Sequence, residues 1–128
     1  MKRGDREYQI CKVVAQYMRL QYPKIPFRFD QAGYKLSIAQ AGKNKAIQYC
    51  KGWPDLFIAE KRGDFFNGCF IEVKKEGTRL FKRNGEPADI HIAEQRDCLD
   101  KLTKQGYFSC FGVGLDNCIE IIDKYLNY

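Results

Sequence analysis

Apolar residues recur at intervals of three and four from residue 5 to about residue 22. Ile10, Val13, Val14, Tyr17 and Leu20 thereby fall on one side of a helix that stops before Pro23. After a turn at residues 23–26, Phe27-Arg28-Phe29-Asp30 alternates as a short strand. Residues 37–49 keep only a partial helical spacing, Ile38, Ala41 and Ile47, interrupted by Gly42, and read as a loop with one or two helical turns leading to Trp53. Two apolar runs, residues 56–59 and 69–73, flank a turn containing Arg62-Gly63-Asp64 and Asn67-Gly68, the pattern of two antiparallel strands. Residues 78–83 and 89–92 then flank Asn84-Gly85, a two-residue hairpin signal, so a projecting arm is expected there. A helix over 93–105 turns Leu99 and Leu102 inward and ends at Gly106. A strand over 107–113 and a helix over 115–126, with Ile119, Ile122 and Leu126 inward, complete the chain. This order predicts an α/β fold, a mixed central β-sheet flanked by helices, in a single domain spanning residues 1–128.

Composition narrows the class. Hydrophobic residues make up 45% of the chain and aromatics 14%, enough for a packed core. No apolar run approaches the roughly 18 residues of a membrane span, and no apolar segment follows the charged residues 1–7, so a cytoplasmic protein without membrane partners is expected. The six cysteines form no Cys-x-x-Cys pair and lie mostly within apolar patterns, which predicts reduced, buried thiols. His91, expected on the hairpin arm, is the only histidine, which excludes a zinc site built from several.

Charge adds a partner. The net +6 is uneven: residues 1–54 carry eleven Lys or Arg against three acids, and residues 55–128 eleven against thirteen. A basic surface beside a carboxylate cluster suits a polyanion. Lys43, Lys45 and Lys51 are expected to touch phosphates, as are Lys75, Arg79, Lys82 and Arg83 on the arm.

The chemistry concentrates between residues 51 and 75. Asp55 opens the first strand of the pair, and Glu72 and Lys74 close the second on one shared face. Two carboxylates can hold a hard divalent cation, and the lysine can orient or deprotonate a water beside it. Trp53 is expected to pack beneath the site.

Pro54-Asp55, followed after sixteen residues by Glu72-Val73-Lys74, resembles the signature of the PD-(D/E)XK nuclease superfamily, with its restriction-endonuclease-like core. The wider text, Gly52-Trp53-Pro54-Asp55-Leu56-Phe57-Ile58, Phe70-Ile71-Glu72-Val73-Lys74 and a helix led by Gln95, resembles the virus-type replication-repair nuclease (VRR-NUC) branch. That family occurs as stand-alone phage and bacterial proteins, so the cytoplasm of a phage's host is one expected setting. The resemblance implies a DNA endonuclease. Asp55, Glu72 and the Val73 carbonyl would hold Mg²⁺ or Mn²⁺, Lys74 would activate water, Gln95 would orient it, and Glu7 on the first helix would add an acid. It further implies a homodimer acting on branched DNA such as four-way Holliday junctions, with Phe65, Phe66 and residues 125–128 as interface candidates. A nickase on linear or flapped DNA and a non-catalytic nucleic-acid-binding module are the alternatives.

Overall fold

The computed structural model describes residues 3–30 and 37–127. In chain order the elements are α1 (Arg3–Gln21), β1 (Phe27–Phe29), α2 (Ile38–Ala46), β2 (Leu56–Ile58), β3 (Cys69–Lys74), α3 (Ile90–Lys104), β4 (Phe108–Val113) and α4 (Leu115–Leu126). The strands form one mixed sheet in the order β1-β2-β3-β4, antiparallel twice and parallel between β3 and β4. The parallel step requires a crossover, and α3 supplies it.

All six residues of β3 are buried, as a strand covered on both faces must be. On one face, Leu56, Ile58, Cys69, Ile71 and Val73 pack under Ile10, Val14 and Met18 of α1 and Ile122, Tyr125 and Leu126 of α4. On the other, Phe70 packs with Cys98 and Leu102 of α3 and with Phe57 and Tyr107. The Tyr17 and Tyr22 hydroxyls both donate to Asp123 Oδ1, at 2.6 and 2.7 Å, and so fasten α1 to α4. All six thiols are free, as expected, with Cys50 and Cys110 half-buried and the others buried.

Several boundaries differ from the sequence expectation. The buried stripe of α1 runs through Ile10, Cys11, Val14 and Met18, while Val13 and Leu20 face solvent. Residues 38–46 form a true helix in spite of Gly42, because a Ser37/Gln40 capping box satisfies its first turn: Gln40 N donates to Ser37 Oγ and Ser37 N to Gln40 Oε1. The arm is a loop closed on itself by a single bridge, Phe81 to Pro87, and not a two-stranded hairpin. Two backbone bonds flank that bridge, Lys82 N to Glu86 O and Ala88 N to Leu80 O, and the second strand goes no further because Asp89 accepts the Ile92 N–H as the cap of α3, which starts at Ile90 and carries His91 in its first turn. Phe66 and Tyr125 are spent on the core, packing with Phe108, and are not free for an interface; Phe65 remains exposed, and Tyr128 lies outside the described residues.

The fit between β4 and its covering elements leaves no room at Gly112. A Cβ there would stand 2.6 Å from Cys118 Sγ and 3.0 Å from Ile71 Cγ2. Gly112→Ala should lower the unfolding free energy by about 1–3 kcal/mol, as overpacking does, measured by urea denaturation. Wild-type stability would contradict this packing.

Candidate active site

The β2–β3 pairing positions the acids. Leu56 pairs with Ile71, so continuing the register by one residue sets Asp55 opposite Glu72, and by one more sets Pro54 opposite Val73. Residues opposed in this way share a face. The Asp55 side chain takes the place of the missing ladder partner: its Oδ2 accepts the Val73 N–H at 2.7 Å. Proline has no N–H, so Pro54 cannot meet the Val73 carbonyl, which is left facing the same end of the sheet. On the other side of β2, Asp55 O accepts the Asp30 N–H at 2.6 Å, which sets Asp30 in the same row as Asp55 and Glu72.

From α3, Gln95 Nε2 donates to Glu72 Oε1 at 3.3 Å. This contact depends on Gly52: a Cβ there would lie 2.6–2.8 Å from the backbone of Glu94 and Gln95, so only glycine lets the loop before Pro54-Asp55 lie on the helix. Lys74 is buried two residues along β3 from Glu72, on its face. Glu7 continues the buried stripe of α1 one turn above Cys11 and reaches the end of β3, where its Oε2 accepts the Lys75 N–H at 3.4 Å.

Asp55, Glu72, Lys74, Gln95, Val73 and Glu7 are thus brought to one end of the sheet. Lys43 and Lys45 are exposed on α2 and Lys51 in the loop after it, while Lys75, Arg79, Lys82 and Arg83 line the start and tip of the arm. The arm leaves β3 after Lys74 and returns to α3 ahead of Gln95, so its basic residues begin and end beside the acids. Its Phe81 lies under the Arg96 guanidinium, 5.3 Å from the ring centre. Trp53 is not beneath the site: it is 37% exposed, packs edge-on against Phe70 at 5.5 Å, and lines a cleft that opens from Asp55. Sequence reasoning missed Asp30, Arg28 and Tyr49, which line that cleft. The alternation of residues 27–30 held a signal for the first two, since it sets Arg28 and Asp30 together on the face opposite the phenylalanines.

Burial pushes the Asp55 carboxyl up to about 6, against the lowering effect of the neighbouring Glu72 and of the Val73 N–H. Glu72 is driven well above the usual carboxylate range, by burial first and by the Asp55 charge second. Burial also raises the Cys11 thiol, and the Asp55 charge adds to it, which marks how closely α1 covers the acids. Glu72 Oε2 and Gln95 Oε1 are buried and receive no hydrogen bond. Such orphaned oxygens beside two carboxylates are where a cation would sit. Among the described residues no three His, Cys, Asp or Glu side chains cluster tightly enough to form a metal site by themselves. A cation here would therefore draw on two carboxylates, backbone and water, which suits an ion that keeps much of its hydration, such as Mg²⁺.

No family model matches the chain, and no curated protein matches it. Among solved structures the fold is similar to that of a protein described as a VRR_NUC domain protein, 25% identical in sequence, with a TM-score of 0.68 over 95% of this chain and 88% of that one.

Without a cation, carboxyls whose pKa is raised by folding favour the fold while protonated. That contribution is complete below the ordinary carboxyl range and is lost as pH climbs through 6 and beyond. Glu72→Gln is uncharged in both states. In EDTA it should gain on the parent between pH 4 and pH 8, by about 1.4 kcal/mol or more, the equivalent of one pK unit. Mg²⁺ should raise the melting temperature of the parent and not of the variant. Calorimetry that finds a pH-independent difference would refute the strained pair.

Proposed function

Since the chain belongs to the VRR-NUC family of the PD-(D/E)XK nuclease superfamily, we propose that it is a DNA endonuclease that hydrolyses phosphodiester bonds with Mg²⁺ or Mn²⁺. The observation that carries the reading is the buried pair Asp55 and Glu72, opposed by strand register, with Lys74 on the same face and Gln95 hydrogen-bonded to Glu72.

Asp55, Glu72 and the Val73 carbonyl are the residues that would hold the ion, which when bound supplies Lewis-acid polarisation of the scissile phosphate and neutralises charge there. Lys74 orients the attacking water, and its charge favours both the hydroxide form of that water, whose proton leaves to solvent, and the anionic transition state. Gln95 spans Glu72 and the water or a phosphate oxygen, fixing the angle of attack. Glu7, by gripping the Lys75 N–H, keeps the end of β3 in place and adds an acid at the rim, the position of a second ion. The lysines and arginines on either side, Lys43, Lys45 and Lys51 on one and half-buried Lys75 with exposed Arg79, Lys82 and Arg83 on the other, hold the DNA backbone.

At the finer level, the reading is a homodimer that cuts branched DNA, four-way junctions included, because two opposed cuts need two sites related by a two-fold axis. Exposed Phe65 is the apolar residue left for that interface. Sedimentation at micromolar concentration should find a dimer, and a monomer making single nicks would remove this finer level.

The main test is a cleavage panel of duplex, flap, single-strand and four-way-junction DNA in Mg²⁺, Mn²⁺ and EDTA. Turnover should occur with either cation and vanish in EDTA, and Asp55→Ala and Glu72→Ala should each abolish it. Lys74→Ala should remove turnover while leaving the Mg²⁺ affinity seen by calorimetry intact. DNA binding without cleavage under all conditions would establish a non-catalytic binding module instead.

Reversing the charges of Lys82 and Arg83 together should weaken DNA binding and flatten the slope of log affinity against log salt by about one unit for each phosphate no longer neutralised. An unchanged slope would make the arm a spectator.

A further inference from the structure

A cleft of about 410 Å³ opens from Asp55 and runs away from the acids along the outer half of the sheet. Phe57 and Arg28 line its sheet side, Ile47 and Tyr49 the opposite side, and Trp53 stands between. Three features distinguish it from an ordinary surface fold. The first is that its wall is unfinished. Helix α2 buries none of its residues, and Ile38, Ile47 and Tyr49, on or just after it, are 96%, 85% and 71% exposed. A helix whose apolar side is left uncovered by the described residues can take a partner there.

The second is that the aromatic rings are already oriented. Trp53 is braced edge-on by Phe70. Tyr49 lies beneath the Lys101 ammonium of α3, 5.3 Å from its ring centre. The third is the charge gradient. Asp30 and Asp55 occupy the inner end, which repels a phosphate unless a cation is present, whereas Arg28 is the cation of the cleft proper. A flat, neutral ring tolerates this environment where a phosphate does not.

We infer that the cleft takes an unpaired nucleobase of the DNA strand that passes Asp55, stacked against Tyr49 and Trp53. The inference rests on the nuclease reading for the path of the strand and specifies its substrate. A base in a duplex has its hydrogen-bonding edge and both faces covered and cannot enter, so the site selects DNA in which the nucleotide beside the cut is free, as in tails, flaps and junction centres. Stacking on aromatic rings recognises any base, so little sequence preference follows.

Trp53 is the only tryptophan, so its emission reports on the cleft directly. The full chain in EDTA is titrated with four DNAs: tetrathymidylate, a blunt 12-bp duplex, the same duplex with a three-nucleotide tail, and that tail made abasic. Tetrathymidylate and the tailed duplex should quench Trp53, and the blunt and abasic duplexes should not. Tyr49→Ala, at an exposed position that the fold does not depend on, should weaken tail binding about tenfold, in keeping with the removal of one stacking partner. Under Mg²⁺ it should lower the ratio of tailed to blunt cleavage. Equal quenching by the abasic tail, or wild-type affinity in Tyr49→Ala, would overturn the inference while leaving the nuclease reading intact. Base-dependent quenching with no cleavage of any substrate would do the reverse. A concentration-dependent dimer abolished by Ile47→Asp, with no quenching by DNA, would make the cleft a contact between two copies and overturn it as well.

Discussion

Two carboxylates buried against each other at the end of a sheet are unstable company, and most of what surrounds them answers that problem. Removing an ion from water costs several kcal/mol, and a second like charge adds to it. Asp55 is relieved in part by the Val73 N–H, and Glu72 by the Gln95 amide. Lys74 lends both a favourable charge. Pro54 contributes by omission, since the N–H it lacks would otherwise engage the Val73 carbonyl. Each of these devices leaves the pair short of full satisfaction, with Glu72 Oε2 unpartnered. On the proposed reading, that deficit is what a cation would make good. A fully hydrogen-bonded pair would have none to offer.

That deficit is tolerable only because the other face of the sheet is well packed. The apolar layer between the sheet and the α1–α4 pair contains the fully buried Met18, Leu56, Ile58, Ile71 and Ile122. It holds the strand ends still while the polar end remains unsatisfied. The molecule is thus graded from a dry, close-packed side, through the acids, to a side where α2 buries none of its residues. Strain and incompleteness lie next to each other, as expected where function overrides stability.

Much of this was legible in the sequence because the central features are local. The alternation of Glu72, Val73 and Lys74 and the turn before Cys69 were sufficient to oppose Asp55 and Glu72, since an antiparallel pair needs no information from far along the chain. The face of α1 was harder. Val13 and Leu20 fit the three-and-four spacing as well as Cys11 and Met18 do, and only the docking of α1 on α4 and β3 decides between them. The arm differs from a hairpin because Asn84-Gly85 does make its turn, with Gly85 at φ +87°, but the Asp89 cap starts α3 directly after the single bridge. Helix α2 is legible only as one or two helical turns in a loop because Gly42 weakens its pattern and no burial reinforces it, whereas its cap depends on two polar side chains three residues apart. Trp53 was placed beneath the site on hydrophobicity, which carries no information about which edge of a ring is covered.

The double tyrosine clamp on Asp123 has a consequence for the order of events in the cell. Asp55 and Glu72 meet through a local hairpin, all of whose residues precede residue 75. Glu7 is different: the helix that carries it is secured by a carboxylate made more than a hundred residues later, with Asn127 donating to the Tyr22 hydroxyl as well. A chain clipped ahead of α4 would leave its first helix without this clamp and the apolar layer beneath the sheet half uncovered. Synthesis of α4 therefore acts as the safety catch, and a helix made late arms the first.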